Sequence, residues 1–294
     1  GNAEGVHEVI CRIKVGKHTQ TQSIQITVEP KTTNPADCPC GTTIEYEGKE
    51  YPTVQIGTQC WMAKNLNVGD RVSLENLENV HKEKGVQRGC IDIPKCAQYG
   101  GLYTWWEVLC GGECSASFNA SNMSWRGLDK TFDYNLLVSY GVKYVPGSKV
   151  DIQGICPDGW HLPSDNEWGI LEKFIGITDQ ETYGWDRKGD VKSLMVSGNS
   201  VWCPSGDCNT TGFSAYWGGY VDKTGTAITA DATKSVRWWS GLPITGGNNA
   251  TSIVRGITMN PTDVIKIDPS VLPLMGKHRV GRNSYMYVRC LRNN

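Results

Sequence analysis

Phenylalanine is scarce in this chain: 4 in 294 residues, against 11 tryptophans and 34 glycines. A core with so little phenylalanine must be packed by tryptophan, and many glycines mean many turns. Both suit a loop-rich β or α+β domain. Net charge is scarce too, at −1. That excludes the basic footprint nucleic acid needs and argues against an anionic membrane surface. No run of about 18 apolar residues exists, so no segment reads as a bilayer span. No repeat of fixed period and no low-complexity tract occur. No signal peptide is present and Gly1 is not Met, as expected of a processed or recombinant mature chain. Hydrophobic residues are 39% and charged residues 20%, so the chain can build a packed core.

Cysteine is plentiful: 12, an even number. Three pairs sit close in sequence, Cys90/Cys96, Cys110/Cys114 and Cys203/Cys208, each flanked by Gly or Pro. Small disulfide loops in an oxidising compartment are expected. Zinc fits poorly. No C-x-x-C pair exists, only Cys38 and Cys40 are very close, and His18 and His81 are not clustered with cysteines.

The sharpest local signal is Gly154–Gly176. Ser164 and Glu167 form a capping box. Pro163 blocks any helix from running back through the cap. Trp168, Leu171, Phe174 and Ile175 recur at helical spacing as one apolar face, and Gly176 is the expected stop. Cys156, Pro157, Gly159 and Trp160 form a rigid entry turn, where a cysteine can fasten the helix to another element.

Upstream, residues 1–30 read as a hairpin, His7–Lys14 and Ser23–Val28 with the turn at Gly16–Thr21. It either packs on the main domain or ends an Ig-like module. Residues 31–41 read as a linker. Thr42–Glu47 and Tyr51–Ile56 form a second hairpin around Gly48, followed by a strand at Gln59–Leu66. Its fold-back brings Cys40 and Cys60 together. Ser73–Lys84 holds one short helix; Tyr99–Cys110 is a longer one, with Tyr103, Trp106, Leu109 and Cys110 on one face. Thr182–Val196 contains a helical turn. Trp202–Tyr220 is loop and strand. Val236–Trp239, Ala250–Met259 and Val264–Ile267 have strand composition. Tyr285–Leu291 is a terminal strand, with Tyr285, Tyr287 and Arg289 on one side and Met286, Val288 and Cys290 on the other.

Six ordered blocks then carry a resemblance: YPTVQIGTQCWMAKNLN (Tyr51–Asn67), YGGLYTW (Tyr99–Trp105), GICPDGWHLPSDNEW (Gly154–Trp168), GFSA (Gly212–Ala215), WWS (Trp238–Ser240) and YVRC (Tyr287–Cys290). From about Thr42 to the end, the chain resembles the Fibrobacter succinogenes major paralogous domain of secreted and surface proteins of Bacteroidetes-type bacteria. The resemblance implies a C-type-lectin-like fold of the α+β class, related to formylglycine-generating enzymes. It would have small antiparallel sheets, two main helices and long disulfide-stapled loops, so 42–294 is one domain. Two insertions, near 67–98 and 111–154, exceed the family's usual linkers, and each carries its own cysteine pair. After GFSA the family continues with Gly-Tyr-Arg; here Gly219-Tyr220 is followed by Val221, so no role of that arginine carries over.

The chemistry follows. His161 is expected to be structural, bonded to backbone in its turn, since no neighbouring Ser, Cys or carboxylate pattern implies a relay. Cys290 sits where formylglycine-generating enzymes keep a copper-binding cysteine. A disulfide to Cys156 is the favoured reading, leaving Cys11 and Cys38 as the remaining pair. The acidic positions Asp186–Asp190, Asp207, Asp222 and Asp263 lack a sugar–calcium signature; no cofactor is expected beyond an incidental structural calcium. No nucleophile–base spacing, no carboxylate pair at helical or strand spacing, and no phosphate loop or metal motif appears, so no enzyme is expected.

Aromatics with Arg and Asn crowd the C-terminal quarter, the residue types of recognition surfaces. Trp238 and Tyr287 are read as core. The candidate ligand residues are Trp239, Asn248, Asn249, Arg255, Lys277, Arg279, Arg282, Asn283 and Tyr285, with Gly241–Asn249 and Leu274–Asn283 as exposed loops. The expected function is non-catalytic recognition or adhesion: an exported domain, extracellular or at the outer-membrane surface, free or lipid-anchored, binding a glycan or a protein. The alternative is a tip or stalk piece of a surface appendage. An oxidase of formylglycine-generating type comes third.

Overall fold

The computed structural model describes residues 5–15, 18–28, 35–76, 85–111, 134–139, 141–180, 183–196, 208–222, 224–228, 235–241, 251–258, 274–281 and 284–293. The chain divides into two compact units, Gly1–Asn34 and Pro35–Asn294. The first is a hairpin of β1 (Gly5–Val15) and β2 (His18–Val28), paired without a slip from Gly5↔Val28 to Val15↔His18. Both strands run further than expected. Thr19 and Thr21 alternate with Gln20 and Gln22, and β-branched residues sit well in a strand.

The second unit is α+β. In order it has β3 (Thr43–Tyr46), β4 (Lys49–Ile56), β5 (Gln59–Met62), β6 (Asp70–Arg71), β7 (Gln87–Arg88), α1 (Cys96–Tyr99), β8 (Tyr103–Thr104), α2 (Trp105–Cys110) and α3 (Tyr134–Ser139). Then come β9 (Trp160–His161), α4 (Asp165–Phe174), β10 (Gly184–Arg187), β11 (Tyr220–Val221), β12 (Ala227–Ile228), β13 (Ser235–Trp239), β14 (Thr251–Thr258), β15 (Leu274–Gly281), β16 (Tyr285–Met286) and β17 (Leu291–Arg292). The strands form small sheets ordered β3-β4-β5-β17-β9, β12-β11-β16-β8 and β10-β15-β14-β13, with a short parallel pair β6-β7. Short 3-10 turns occupy Pro35–Asp37, Leu74–Asn76 and Val191–Leu194. Among the described residues, no helix is long and apolar enough to cross a membrane.

The expected helix over Tyr99–Cys110 is broken in two. Gly100, at φ 91°, ends α1, and α2 starts afresh from Thr104, whose hydroxyl accepts the N–H of Glu107. Every residue of α2 is buried, as befits a helix apolar almost all round. The Ser73–Lys84 helix reduces to Leu74–Asn76, and the remainder from 77 lies outside the described residues, as does Val264–Ile267.

Two apolar clusters flank a middle layer of strands. Trp61, Leu102, Trp238, Tyr285, Tyr287 and Leu291 belong to one cluster; their neighbours Cys60, Met62, Tyr103, Trp239, Met286, Val288 and Cys290 belong to the other. This follows from strand geometry, in which successive side chains leave opposite faces. The expected alternation along Tyr285–Leu291 is therefore present, but both of its faces are buried. The segment also joins the sheets. β16 pairs with β8 and β11, Tyr287 bridges to Trp238, and β17 pairs with β5 and β9.

Disulfides staple this frame: Cys40–Cys60, Cys90–Cys96 and Cys156–Cys290. Cys110 and Cys208 are also disulfide-bonded; Cys114 and Cys203, their expected partners, lie outside the described residues. Cys38 forms no disulfide among the described residues; Cys11, its expected partner, belongs to the first unit and its side chain lies outside those described.

Candidate functional site: a loop-bearing sheet anchored by buried charge

The α4 helix forms as its sequence dictates. The Ser164 hydroxyl accepts the N–H of Glu167, while Glu167 accepts the N–H of Ser164 at 2.8 Å. Gly176 takes φ 84° just past the C-cap Ile175, a left-handed turn open to glycine. Trp168, Leu171 and Ile175 are buried. The Trp168 ring packs 4.8 Å from Trp61 and 5.6 Å from Trp238. Phe174 departs from the expected face: it is 56% exposed and lies over Gly57.

Beside this apolar stripe, on the same buried half of the helix, stand two carboxylates. Asp165 and Glu172 are seven apart, about two turns, so they share a face. They meet a cationic stripe on the sheet β10-β15-β14-β13. Arg187 grips Glu172 with two bonds of 2.6 and 2.7 Å. Arg255 binds the same carboxylate at 2.7 and 2.8 Å and also Asp165. Lys277 contacts Asp165 at 2.7 Å. Arg187 and Arg255 both donate to the Gln180 carbonyl. All five charged side chains are buried. Desolvation raises the pKa of Glu172, against the pull of Arg187 and Arg255. This carboxylate pair at helical spacing corrects the expectation that none exists. Its arginine partners hold both groups in structural ion pairs.

The sheet's register sets where its loops emerge. β13 pairs with β14 and β14 with β15, all antiparallel. Thr251 lies opposite Gly281, and Thr258 opposite Leu274. The chain therefore enters β14 and leaves β15 at one edge of the sheet, beside Gly241, whose N–H donates to the Pro163 carbonyl. The segments leading from that edge carry Asn248–Asn249 and Arg282–Asn283 in the sequence.

The predicted ligand residues part company here. Trp239, Arg255, Lys277 and Tyr285 are buried. The Trp239 indole donates to the Tyr103 carbonyl, and Arg255 and Lys277 belong to the ion network. Leu274–Gly281 is strand, not exposed loop. Leu274 and Met275 are buried, and the strand pairs with β14 through its polar residues as far as Gly281. Arg279 sits opposite Ile253 in the ladder. Asn248, Asn249, Arg282 and Asn283 lie outside the described residues, as does most of the Gly241–Asn249 loop.

A second cluster surrounds His161. Its Nε2 lies 2.9 Å from Glu167 and its Nδ1 lies 2.7 Å from the side-chain oxygen of Asn293. Its bonds are thus to side chains, not backbone, and both a serine and a carboxylate are present after all. Burial disfavours its charge, but Glu167 and then Asn293 hold its pKa above the ordinary value. Glu167 moves the other way: burial pushes it up, and His161 and Ser164 pull it below. The Ser164 hydroxyl donates to Glu167 at 2.8 Å. In a nucleophilic triad the base stands between serine and acid; here the acid stands between serine and histidine. Cys290 is joined to Cys156. Of the acidic candidates, Asp222 accepts from Thr224 and Thr226, Asp186 lies within β10, and Asp207 and Asp263 lie outside the described residues. Among the described residues no group of three metal-binding side chains occurs.

Sequence reasoning missed Arg289 as a hub. It is buried, bonds Asn65 at 2.7 and 2.9 Å, donates to the carbonyls of Met62 and Phe213, and stacks 4.2 Å from the Phe213 ring. It thereby joins three of the sequence blocks, WMAKN, GFSA and YVRC. Burial lowers its pKa to about 9. Its parity with Tyr285 and Tyr287 was the available signal.

The geometry defines a disulfide-stapled α+β module that carries loops on a small sheet. The Fibrobacter succinogenes major domain matches residues 54–292, and the chain belongs to that family. No curated protein and no solved structure matches it.

Proposed function

We propose that this chain is an extracellular recognition module of a bacterial surface protein, C-type-lectin-like in arrangement, that binds a glycan or a protein. The observation that carries the reading is the register of β14 and β15. It brings the start of β14 and the end of β15 to one end of the sheet, and buried ion pairs fasten that sheet to α4; in sequence Asn248–Asn249 precede the one and Arg282–Asn283 follow the other. Rigid scaffolds with variable loops are where binding commonly resides. Trp239, Arg255, Lys277 and Tyr285 now serve as supports rather than contacts. The disulfides suit an oxidising, exported location. A structural piece of an appendage is the second reading, favoured by the separate hairpin unit at the N-terminus.

The test is the triple variant Asn249→Ala, Arg279→Ala, Arg282→Ala on glycan arrays and against cell-surface protein. Binding should fall while the melting temperature changes little. Undiminished binding, or cysteine-dependent oxidase turnover on a sulfatase peptide, would put the function elsewhere.

A further inference from the structure

The second unit receives its chain and releases it at one place. The turn Gly159–His161 is a bracket for both. On one side it holds the incoming segment: the Trp160 indole N–H donates to the Pro35 carbonyl at 3.2 Å. Packing there is tight. A Cβ on Gly159, whose φ is 79°, would stand 2.3 Å from the Cβ of Ala36. On the other side it holds the outgoing segment. Leu291 pairs with His161 and Arg292 with Trp160, and the Asn293 N–H donates to the Gly159 carbonyl at 2.8 Å. Arg292 closes the bracket by donating across to the Ala36 carbonyl at 3.0 Å. Three residues before Gly159, Cys156 is joined covalently to Cys290, and this disulfide encloses a stretch with a sequence separation of 134. Helix α4 and the whole sheet β10-β15-β14-β13 lie inside that closed loop.

We propose that this bracket is a load-bearing clamp: tension along the chain passes from Pro35 through Trp160 and Arg292 to Asn293, and bypasses the loop-bearing sheet. The surface reading above supplies only the source of the tension. Two tiers act in series. The first is non-covalent, the hydrogen bonds that tie Pro35, Ala36 and Asn293 to the bracket. If these break, the load reaches Cys40, crosses to Cys60, runs on to Cys156 and crosses to Cys290. Once those ties have broken, the residues within the large loop stay out of the load path while that bond is closed. At about 3.4 Å per extended residue, the separation of 134 corresponds to about 450 Å of chain withheld from extension.

Single-molecule pulling on the full oxidised chain tests this without any ligand, so a failure of the binding reading leaves it untouched. Handles at the two chain ends load the clamp. Bio-orthogonal handles at the exposed residues Lys188 and Thr224, both inside the large loop, do not. Trp160→Phe keeps an aromatic ring, smaller than indole, and deletes the N–H; Arg292→Ala deletes the tie to Ala36. Each should raise the rupture rate at constant end-to-end force by about 2- to 10-fold, the equivalent of one hydrogen bond. Neither should change rupture along the internal axis. Adding reductant should lengthen the fully extended chain by at least the withheld 450 Å or so. Equal weakening along both axes would make the two residues merely structural and overturn the proposal. Unchanged end-to-end rupture in both variants would overturn it too, as would an oxidised chain that already yields the full length.

Discussion

Arg289 has been buried among neutral partners: an amide oxygen, two carbonyls and two aromatic rings. A guanidinium there is costly to desolvate and is held by geometry. Arg289→Ala would strand those acceptors and hollow the space beside Phe213 and Trp238. We expect a loss of roughly 3 kcal/mol or more in denaturant melts. Titrating residues give a second expectation. Glu107 is pushed up to about 7 by desolvation, against the pull of the Gln87 N–H. A carboxyl raised on folding contributes stability that is complete below its ordinary 4.5 and lost as pH rises through about 7. His161, also raised, contributes fully below 6.5 and loses that contribution as pH climbs through its folded value. Glu167 has the opposite sign, contributing above 4.5 and failing as pH falls through its lowered value. The melting temperature should therefore fall as pH rises above 4.5 through about 7, and further through the raised value of His161. Glu107→Gln and His161→Gln should each flatten that slope; a slope unchanged in both would count against these assignments.

The helix α4 shows which part of an element a sequence can reveal. Its cap, its stop and its Trp168 face are local and were legible. Trp168→Ala should cost about 3–5 kcal/mol through the lost ring, and Ser164→Ala about 1 kcal/mol through the lost cap. Denaturant melts in which both changes are small would remove α4 from the centre of the fold. Its charged face was illegible, because the partners of Asp165 and Glu172 come from strands up to 112 residues away, at Lys277. Strand β15 was misread for a related reason. Lys277, Arg279 and two glycines look like loop until the burial of Lys277 against a distant carboxylate is known. Lys277→Met should cost about 3–5 kcal/mol, because it leaves part of Asp165 buried and uncompensated. A thermal melt within error of the parent would show that solvent reaches that pair. At the candidate site, Trp239, Arg255, Lys277 and Tyr285 were read as contacts and are buried.

At the scale of the whole molecule, the terminal segment 284–292 is the joint on which three sheets meet. Met62 and Leu66 donate their N–H groups to the carbonyls of Cys290 and Val288, and Arg289 reaches Asn65 across 224 positions of sequence. Time enters here. A chain elongated as far as residue 283 lacks β16 and β17, and with them the piece that completes both apolar clusters. Pairings so distant in sequence form slowly, since loop closure precedes any reward. The decisive step thus waits until synthesis has gone by nearly all of this region, and the nascent chain stays open and threadable meanwhile. A variant lacking 284–294 should be made in full yet never become resistant to protease. Such a delay keeps the chain open for longer, in line with the exported location that the disulfides suit.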